Sequence, residues 1–372
     1  IRNYVPRKET SQPVYSRDLK DVAEEFNNFF TTVGTRTSEA STSLINKHNL
    51  PTLTIPTPEQ EIPESEMFRF HSVSSNDIRK IVMAFPSDKA PGYDKVPMSI
   101  IKDALPCILP IITDIVNCSL LTSVFPTVWK ISEVIPLPKE DHEVANNNRP
   151  VSLLPAVSKI CERVALDQLV SYLKNKKRLT EQQSGNKKSH STETLNVMMS
   201  DKILEAMDSK KLMLIVLLDL SKAFYNINHL LLLAKLQTLG VSETSLEWFR
   251  SYLLERKQYV RMGQEVSSLR SINHGVPQGS ILGPALFNIY INDLPTVQEI
   301  GSLESYVDDS KLFLLFPVKD ADVVALQITE DLKKIAAWCC HNSLLINPEK
   351  TKVLLLGTRQ MRKKVPDGFC VT

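Results

Sequence analysis

The sequence predicts an α+β fold, and three stretches carry that expectation. Leu212 to Leu220 (LMLIVLLDL) is an unbroken apolar run of strand length, the pattern of a strand buried on both faces. Ser302 to Val307 and Lys311 to Phe316 read as two short strands joined by a tight turn at Tyr306-Val307-Asp308-Asp309. Asp320 to His341 sets Val323, Ile328, Leu332, Ile335 and Trp338 at helical spacing, so a helix should pack beneath the sheet those strands build.

From the amino terminus, Leu19 to Gly34 suits an amphipathic helix that stops at its glycine. Thr35 to Glu66 is rich in Ser, Thr and Pro, with Pro51, Pro56, Pro58 and Pro63, and reads as a linker. Ser75 is expected to cap a helix through Phe85, and a second helical pattern runs from Ile108 to Leu121. The chain divides into 1–66 (helix and linker), 67–210, 211–358 with a mostly helical insertion at 229–270, and 359–372. At 372 residues it can bury an ample core across two or three lobes, and it carries no internal repeat.

Tight hairpin turns select Asn-Gly or Asp-Gly, because their central residues need positive φ. Asp308-Asp309 is a poor choice by that rule, and the two charges repel unless a counter-ion is present. A hard cation such as Mg²⁺ supplies one. Alone, the pair reads as a solvated surface feature. Asp219 interrupts the apolar run near its end, where an unpaired charge costs on the order of several kcal/mol. It reads either as a cap for Ser221 to Asn228 or as a third carboxylate. If the strands are neighbours, Asp219, Asp308 and Asp309 converge. Such a set can hold two Mg²⁺ ions roughly 3.5–4 Å apart around an in-line phosphoryl displacement, which suggests nucleotidyl transfer.

Other blocks share that theme. They are Lys89 to Asp94 (KAPGYD); Val134 to Lys139 (VIPLPK) with Asn148 to Pro155 (NRPVSLLP); Gln183-Ser184-Gly185 with His190-Ser191-Thr192; Leu218 to Phe224 (LDLSKAF); Gly275 to Ser280 (GVPQGS) with Leu282-Gly283-Pro284; Tyr306 to Asp309; and Asn347 to Thr351 (NPEKT). In these blocks and their order, the chain from about Phe68 to Gly357 resembles the reverse transcriptase domain of non-LTR (LINE-type) retrotransposons.

The resemblance implies a right-hand polymerase: fingers and an N-terminal extension over 67–210, an antiparallel palm sheet backed by helices over 211–358, and a largely missing thumb from 359. It implies RNA-directed DNA synthesis from dNTPs on an RNA template and a DNA primer, with two Mg²⁺ ions or Mn²⁺ in their place. Asp219, Asp308, Asp309 and the Leu220 carbonyl would hold the ions. Lys350 would protonate the departing pyrophosphate. Lys139 and Arg149 would neutralise the triphosphate, a task that suits a point charge and a bidentate fork. Ala223, Phe224, Gln278 and Gly279 would border the incoming nucleotide, and Lys187, Lys188 and Tyr306 the template and primer. Phe224 falls where the family sets a bulky side chain against the sugar 2′ position, favouring deoxynucleotides; otherwise it is a core aromatic.

Departures from the family pattern support a second reading. The family's FDxxDH becomes Phe224-Tyr225-Asn226-Ile227-Asn228-His229, and its GFR becomes Gly185-Asn186-Lys187. The chain begins at Ile1 and ends shortly after Gly357, so it reads as a fragment. The intact element is expected to carry an endonuclease upstream. The alternative is therefore a catalytically inactive remnant, at most a nucleic-acid-binding module. An RNA polymerase on the same fold is a third, against which Phe224 argues.

Net charge is only +2, so local patches must recruit a polyanion. The best runs from Lys174 through Lys176, Lys177 and Arg178 to Lys187, Lys188 and His190; it is a template track or simply a solvated charge run. Six cysteines lack CxxC or His spacing, and most are expected to be reduced core residues. No apolar run of about 20 residues suggests a membrane span, and no secretory signal is seen. No GxxxxGK[ST] loop is present, leaving metal-held triphosphate as the phosphate chemistry on offer. These features suit an intracellular nucleic-acid enzyme, nuclear if it belongs to an active element.

Overall fold

A computed structural model describes residues 15–50, 62–139, 141–183, 185, 192–366 and 368–371. Helix α1 (Leu19–His48) starts at Asp18, whose carboxylate accepts from the N–H groups of Lys20 and Asp21, and ends at Asn49 in left-handed geometry, φ 45°. The stop expected at Gly34 is thus corrected. A Cβ on Gly34 would lie 2.5 Å from His274 Cβ and 2.6 Å from the Tyr225 carbonyl oxygen. The glycine serves close approach, and Asn49 supplies the stop. Much of the expected linker is therefore helix; Glu64–Glu66 forms one 3₁₀ turn, and 51–61 lie outside the described residues.

Helix α2 (Ser75–Ala84) is capped by Ser74, not Ser75, through a reciprocal capping box with Asp77. Helix α3 (Met98–Thr122) begins well before Ile108. Its Ile101, Leu105, Leu109, Ile112, Val116 and Leu120 enter the core, while Ile100, Ile111 and Ile115 are exposed. By length and composition alone α3 could cross a membrane, which corrects the expectation that no such segment exists.

The chain continues through β1 (Ile131–Pro138), β2 (Asn148–Leu153), α4 (Ala156–Asn175), α5 (Thr192–Asp208) and β3 (Leu212–Asp219). Next come α6 (His229–Thr238), α7 (Glu243–Leu253), β4 (Arg256–Met262), β5 (Glu265–Val266), β6 (Arg270–Ile272) and α8 (Gly283–Tyr290). It closes with β7 (Ser302–Tyr306), β8 (Asp309–Phe316), α9 (Ala321–His341), β9 (Lys352–Leu356) and α10 (Arg359–Arg362).

Two sheets result. The first runs β2-β1-β4-β5 with β6 also on β4, and only β1 and β4 are parallel. The helical insertion expected over 229–270 therefore ends at Leu253. Strand β4 alternates in burial with the period of two, but Arg256 and Gln258 stand at inward positions and hide the pattern. The second sheet, β7-β8-β3-β9, is wholly antiparallel. Strand β3 is buried on both faces, as its composition requires. Leu214, Val216 and Leu218 join the main core, whereas Met213 and Ile215 meet Phe313, Met199 and Ala206.

Helix α1 forms a separate cluster, with Val22, Phe26 and Phe30 against Val134, Val260 and Met262 of the first sheet. Helix α9 joins the main core through Ile328, Ile335 and Trp338, while Val323 is exposed. All six cysteines are free; Cys161, Cys339 and Cys340 are buried, but Cys107, Cys118 and Cys370 lie on the surface, so the core expectation holds for half of them.

Candidate active site

A cavity of about 720 Å³ opens at the end of β3. Asp219 to Tyr225 line it, with Lys139 and Asn146 to Arg149 from the β1–β2 connection, Pro277 to Ser280, Asp308, Asn347, Glu349 and Lys350. Phe29, Phe30 and Val33 of α1 complete the wall. Hydrogen bonds fix the end of β3: Asn347 N–H donates to the Asp219 carbonyl and Ser221 N–H to the Leu345 carbonyl, each at 2.8 Å.

Asp219 stands opposite Asp309 in the β3–β8 register, and Asp308 sits in the β7–β8 turn. Asp219 and Asp308 line the cavity, whereas Asp309 is exposed and does not. Burial pushes the Asp308 carboxyl above its ordinary value, and the negative charges of Asp309 and Asp219 add to the effect. Lys350 Nζ lies 3.8 Å from Asp219 Oδ2.

The same cavity is lined by Lys139, Arg149 and Lys222, none of which forms a salt bridge among the described residues. Lys222 has left-handed backbone, φ 50°. Its ammonium donates to Asn146 Oδ1 and lies 4.1 Å from the centre of the Phe29 ring. Burial, reinforced by the positive charges of Arg36 and Lys139, brings it down to about 8.

The remaining predicted nucleotide neighbours also reach this cavity. The Phe224 ring stacks on Phe287, centroids 4.8 Å apart. The Gln278 carbonyl accepts from Ser152 N–H at 2.7 Å, strapping the 277–280 segment to β2. Gly279 has φ 132°, and a Cβ there would lie 2.5 Å from the Ser152 carbonyl oxygen, so the β2 backbone occupies the space that the glycine frees. Tyr306 is half-buried in β7 and does not line the cavity; Lys187 and Lys188 lie outside the described residues.

Sequence reasoning missed Lys222, Phe29, Phe30 and Asn146, whose partners are distant in sequence. It also missed Glu162, which is fully buried and accepts from the N–H groups of Ile281 (2.8 Å) and Leu282 (3.2 Å), fixing the entrance to α8. Its signal was helical spacing, since Ala165, Leu166 and Leu169 put Glu162 on the apolar face of α4. The two absent acids of the family pattern have structural replacements. Asn228 caps α6, accepting from Leu230 and Leu231 N–H, and Tyr225 stacks on Phe30, centroids 6.4 Å apart.

The donor chemistry suits a hard divalent cation. Two carboxylates and the Leu220 carbonyl are all oxygen donors, and burial together with the charges of Asp309 and Asp219 keeps the Asp308 carboxyl above its ordinary value. Among the described residues no three Asp, Glu, His or Cys side chains form a ready metal cluster. Mg²⁺ does not require one, since it typically takes one or two carboxylates and completes its shell with water and substrate phosphate.

Residues 137–365 match the family described as reverse transcriptase (RNA-dependent DNA polymerase). The chain is 30% identical over 307 residues to the probable RNA-directed DNA polymerase from transposon BS of Drosophila melanogaster, covering 78% of this chain and 33% of that protein. It is 29% identical to the RNA-directed DNA polymerase from mobile element jockey of the same organism, covering 80% of this chain and 33% of that protein. The Pol polyprotein from type-1 retrotransposable element R2 of Popillia japonica is 27% identical, over 55% of this chain and 28% of that protein. The chain thus spans about a third of the length of the first two relatives. It is a LINE-type reverse transcriptase domain and belongs to the reverse transcriptase (RNA-dependent DNA polymerase) family.

Proposed function

We propose that this domain is an RNA-directed DNA polymerase that adds dNTPs to the 3′-hydroxyl of a DNA primer on an RNA template. One observation carries the reading: Asp219 and Asp308 line a single cavity together with Lys139, Arg149 and Lys222. The first sheet with its helices serves as fingers, the second sheet as palm, and α10 as the start of a thumb. The endonuclease expected in the intact element lies upstream.

Asp219, Asp308 and the Leu220 carbonyl would hold two Mg²⁺ ions. When bound, these supply a sharpened 3′-hydroxyl and charge neutralisation at the transferring phosphoryl group. Lys139 and Arg149, joined by Lys222, attract and orient the triphosphate, so that binding energy goes into alignment. Phe224, backed by Phe287, closes the space beside the sugar and disfavours a 2′-hydroxyl. Lys350 releases Asp219 when the site is loaded and gives a proton to the pyrophosphate leaving group. Gln278 borders the nascent pair, and Tyr306, Lys187 and Lys188 would bind primer and template.

Primer extension with an RNA template, a DNA primer and Mg²⁺ tests the reading, comparing dNTPs with NTPs. Extension is expected with dNTPs alone. A folded chain that binds template yet never extends is the inactive remnant, and equal use of NTPs would make it an RNA polymerase.

A further inference from the structure

We propose that Gln183 is a positioning residue that locks the β7–β8 turn in the conformation that aims Asp308 into the cavity. The inference rests on the proposed polymerase reading, which gives Asp308 its task. Val307, next to Asp308, has φ 57°. A β-branched side chain is rarely found there, because its Cβ substituents crowd the backbone. Such a conformation persists only when its surroundings over-determine it.

Gln183 supplies that constraint. It is 3% exposed, and its amide meets both polar backbone atoms of Val307. Its Oε1 accepts from Val307 N–H at 3.0 Å and from Gly185 N–H at 2.8 Å, while its Nε2 donates to the Val307 carbonyl at 3.2 Å. Because two N–H groups point at one side-chain atom, that atom must be the oxygen, and the amide orientation is settled. The neighbouring backbone adds a rail. Ser305 N–H donates to the Gln182 carbonyl at 2.8 Å, and Gln183 bridges Ser305 in parallel. Asn288 of α8 donates to the Gly185 carbonyl at 2.7 Å, so this segment is held in turn by the helix that follows the 277–280 segment.

Gln183 reaches no lining position and touches neither Asp219 nor Asp308; its effect passes through the backbone of Val307. A glycine at 307 would adopt the same φ without crowding, so the need for the clamp should fall when Val307 is replaced. This coupling separates positioning from general support of the fold.

The test is a double-mutant cycle in the full chain with Gln183→Met, which keeps volume and removes the hydrogen bonds, and Val307→Gly. Gln183→Met should slow single-turnover dNTP addition by about a hundredfold, the scale set by ångström misplacement of a reacting group. Template affinity and the dNTP concentration for half-maximal rate should hardly move. In the Val307→Gly background the same change should cost less than about tenfold, the coupling expected of residues in direct contact. Equal losses in both backgrounds overturn the proposal, as does an undiminished rate in Gln183→Met. If the Met variant does not fold, Gln183→Glu replaces it in the cycle, keeping the acceptor and losing the donor. Hydrogen exchange over residues 303–309 gives a readout independent of catalysis: it should quicken without Gln183, and unchanged exchange overturns the clamp. A wild-type chain with a protected turn that never extends a primer would instead defeat the polymerase reading.

Discussion

Asp308 and Asp309 are adjacent, yet they should respond very differently to Asn substitution. Asp308 lines the cavity beside Asp219, whereas Asp309 is exposed at the start of β8. Asn keeps the shape of each side chain and removes its charge. At position 308 this deletes one of the two carboxylates proposed to hold the ions, and a ligand of that kind contributes several kcal/mol to the transition state. Taking about 4 kcal/mol, dNTP addition should slow about 10³-fold. At position 309 only a screened charge outside the cavity is lost, an effect below about 1 kcal/mol or fivefold. Single-turnover addition of one dNTP on an RNA template measures both variants, with template binding by fluorescence anisotropy as the control for folding. Equal losses in the two variants, or Asp308→Asn within tenfold of wild type, would refute the assignment.

Two further perturbations probe the site and its support. Phe224→Ala should let ribonucleotides in, lowering the preference for dNTPs over NTPs in kcat/KM by about 10²-fold; unchanged sugar preference would defeat the gate. Burial holds the His229 imidazole down at about 4, against an ordinary 6.5, where its Nε2 meets the Gly275 carbonyl at 2.7 Å. Above pH 6.5 both folded and unfolded chains are neutral there. From pH 6.5 down to 4 only the unfolded chain takes up the proton, so stability is lost, by at most about 3 kcal/mol. His229→Gln should flatten that portion of a urea-stability profile, and equal acid sensitivity in both proteins would absolve the imidazole.

The parts of the fold that could be read in advance were those with a single physical explanation. Leu212 to Asp219 admits little besides a doubly buried strand, and α9 shows a clear apolar stripe. Gly34 was misread because glycine serves two purposes, stopping helices and admitting close neighbours, and sequence alone does not say which. Strand β4 was missed because Arg256 and Gln258 occupy inward positions that should look apolar.

Within the site, every predicted nucleotide neighbour reaches the cavity, since each lies in a block with its own local pattern. Sequence does not separate Asp308 from Asp309: Asp309 pairs with Asp219 across β3 and β8, while Asp308 sits in the turn beside the left-handed Val307, a geometry that no local pattern records. Lys222 and Phe29 could not have been paired beforehand. Their contact depends on how α1 crosses the first sheet, which no local periodicity records.

That crossing has a mechanical consequence. Helix α1 packs on β4 at one side and against α9 at the other. Ser38 Oγ meets Ser343 Oγ at 3.3 Å, a few residues before Asn347. It acts as a splint between the part bearing Lys139 and Arg149 and the part bearing Asp219 and Asp308. The gap proposed to hold the nucleotide is thus gauged by a helix lying about a hundred residues before the family match begins at residue 137. Any opening or closing of that gap must either bend this strut or slide it along the apolar bed formed by Val134, Val260 and Met262.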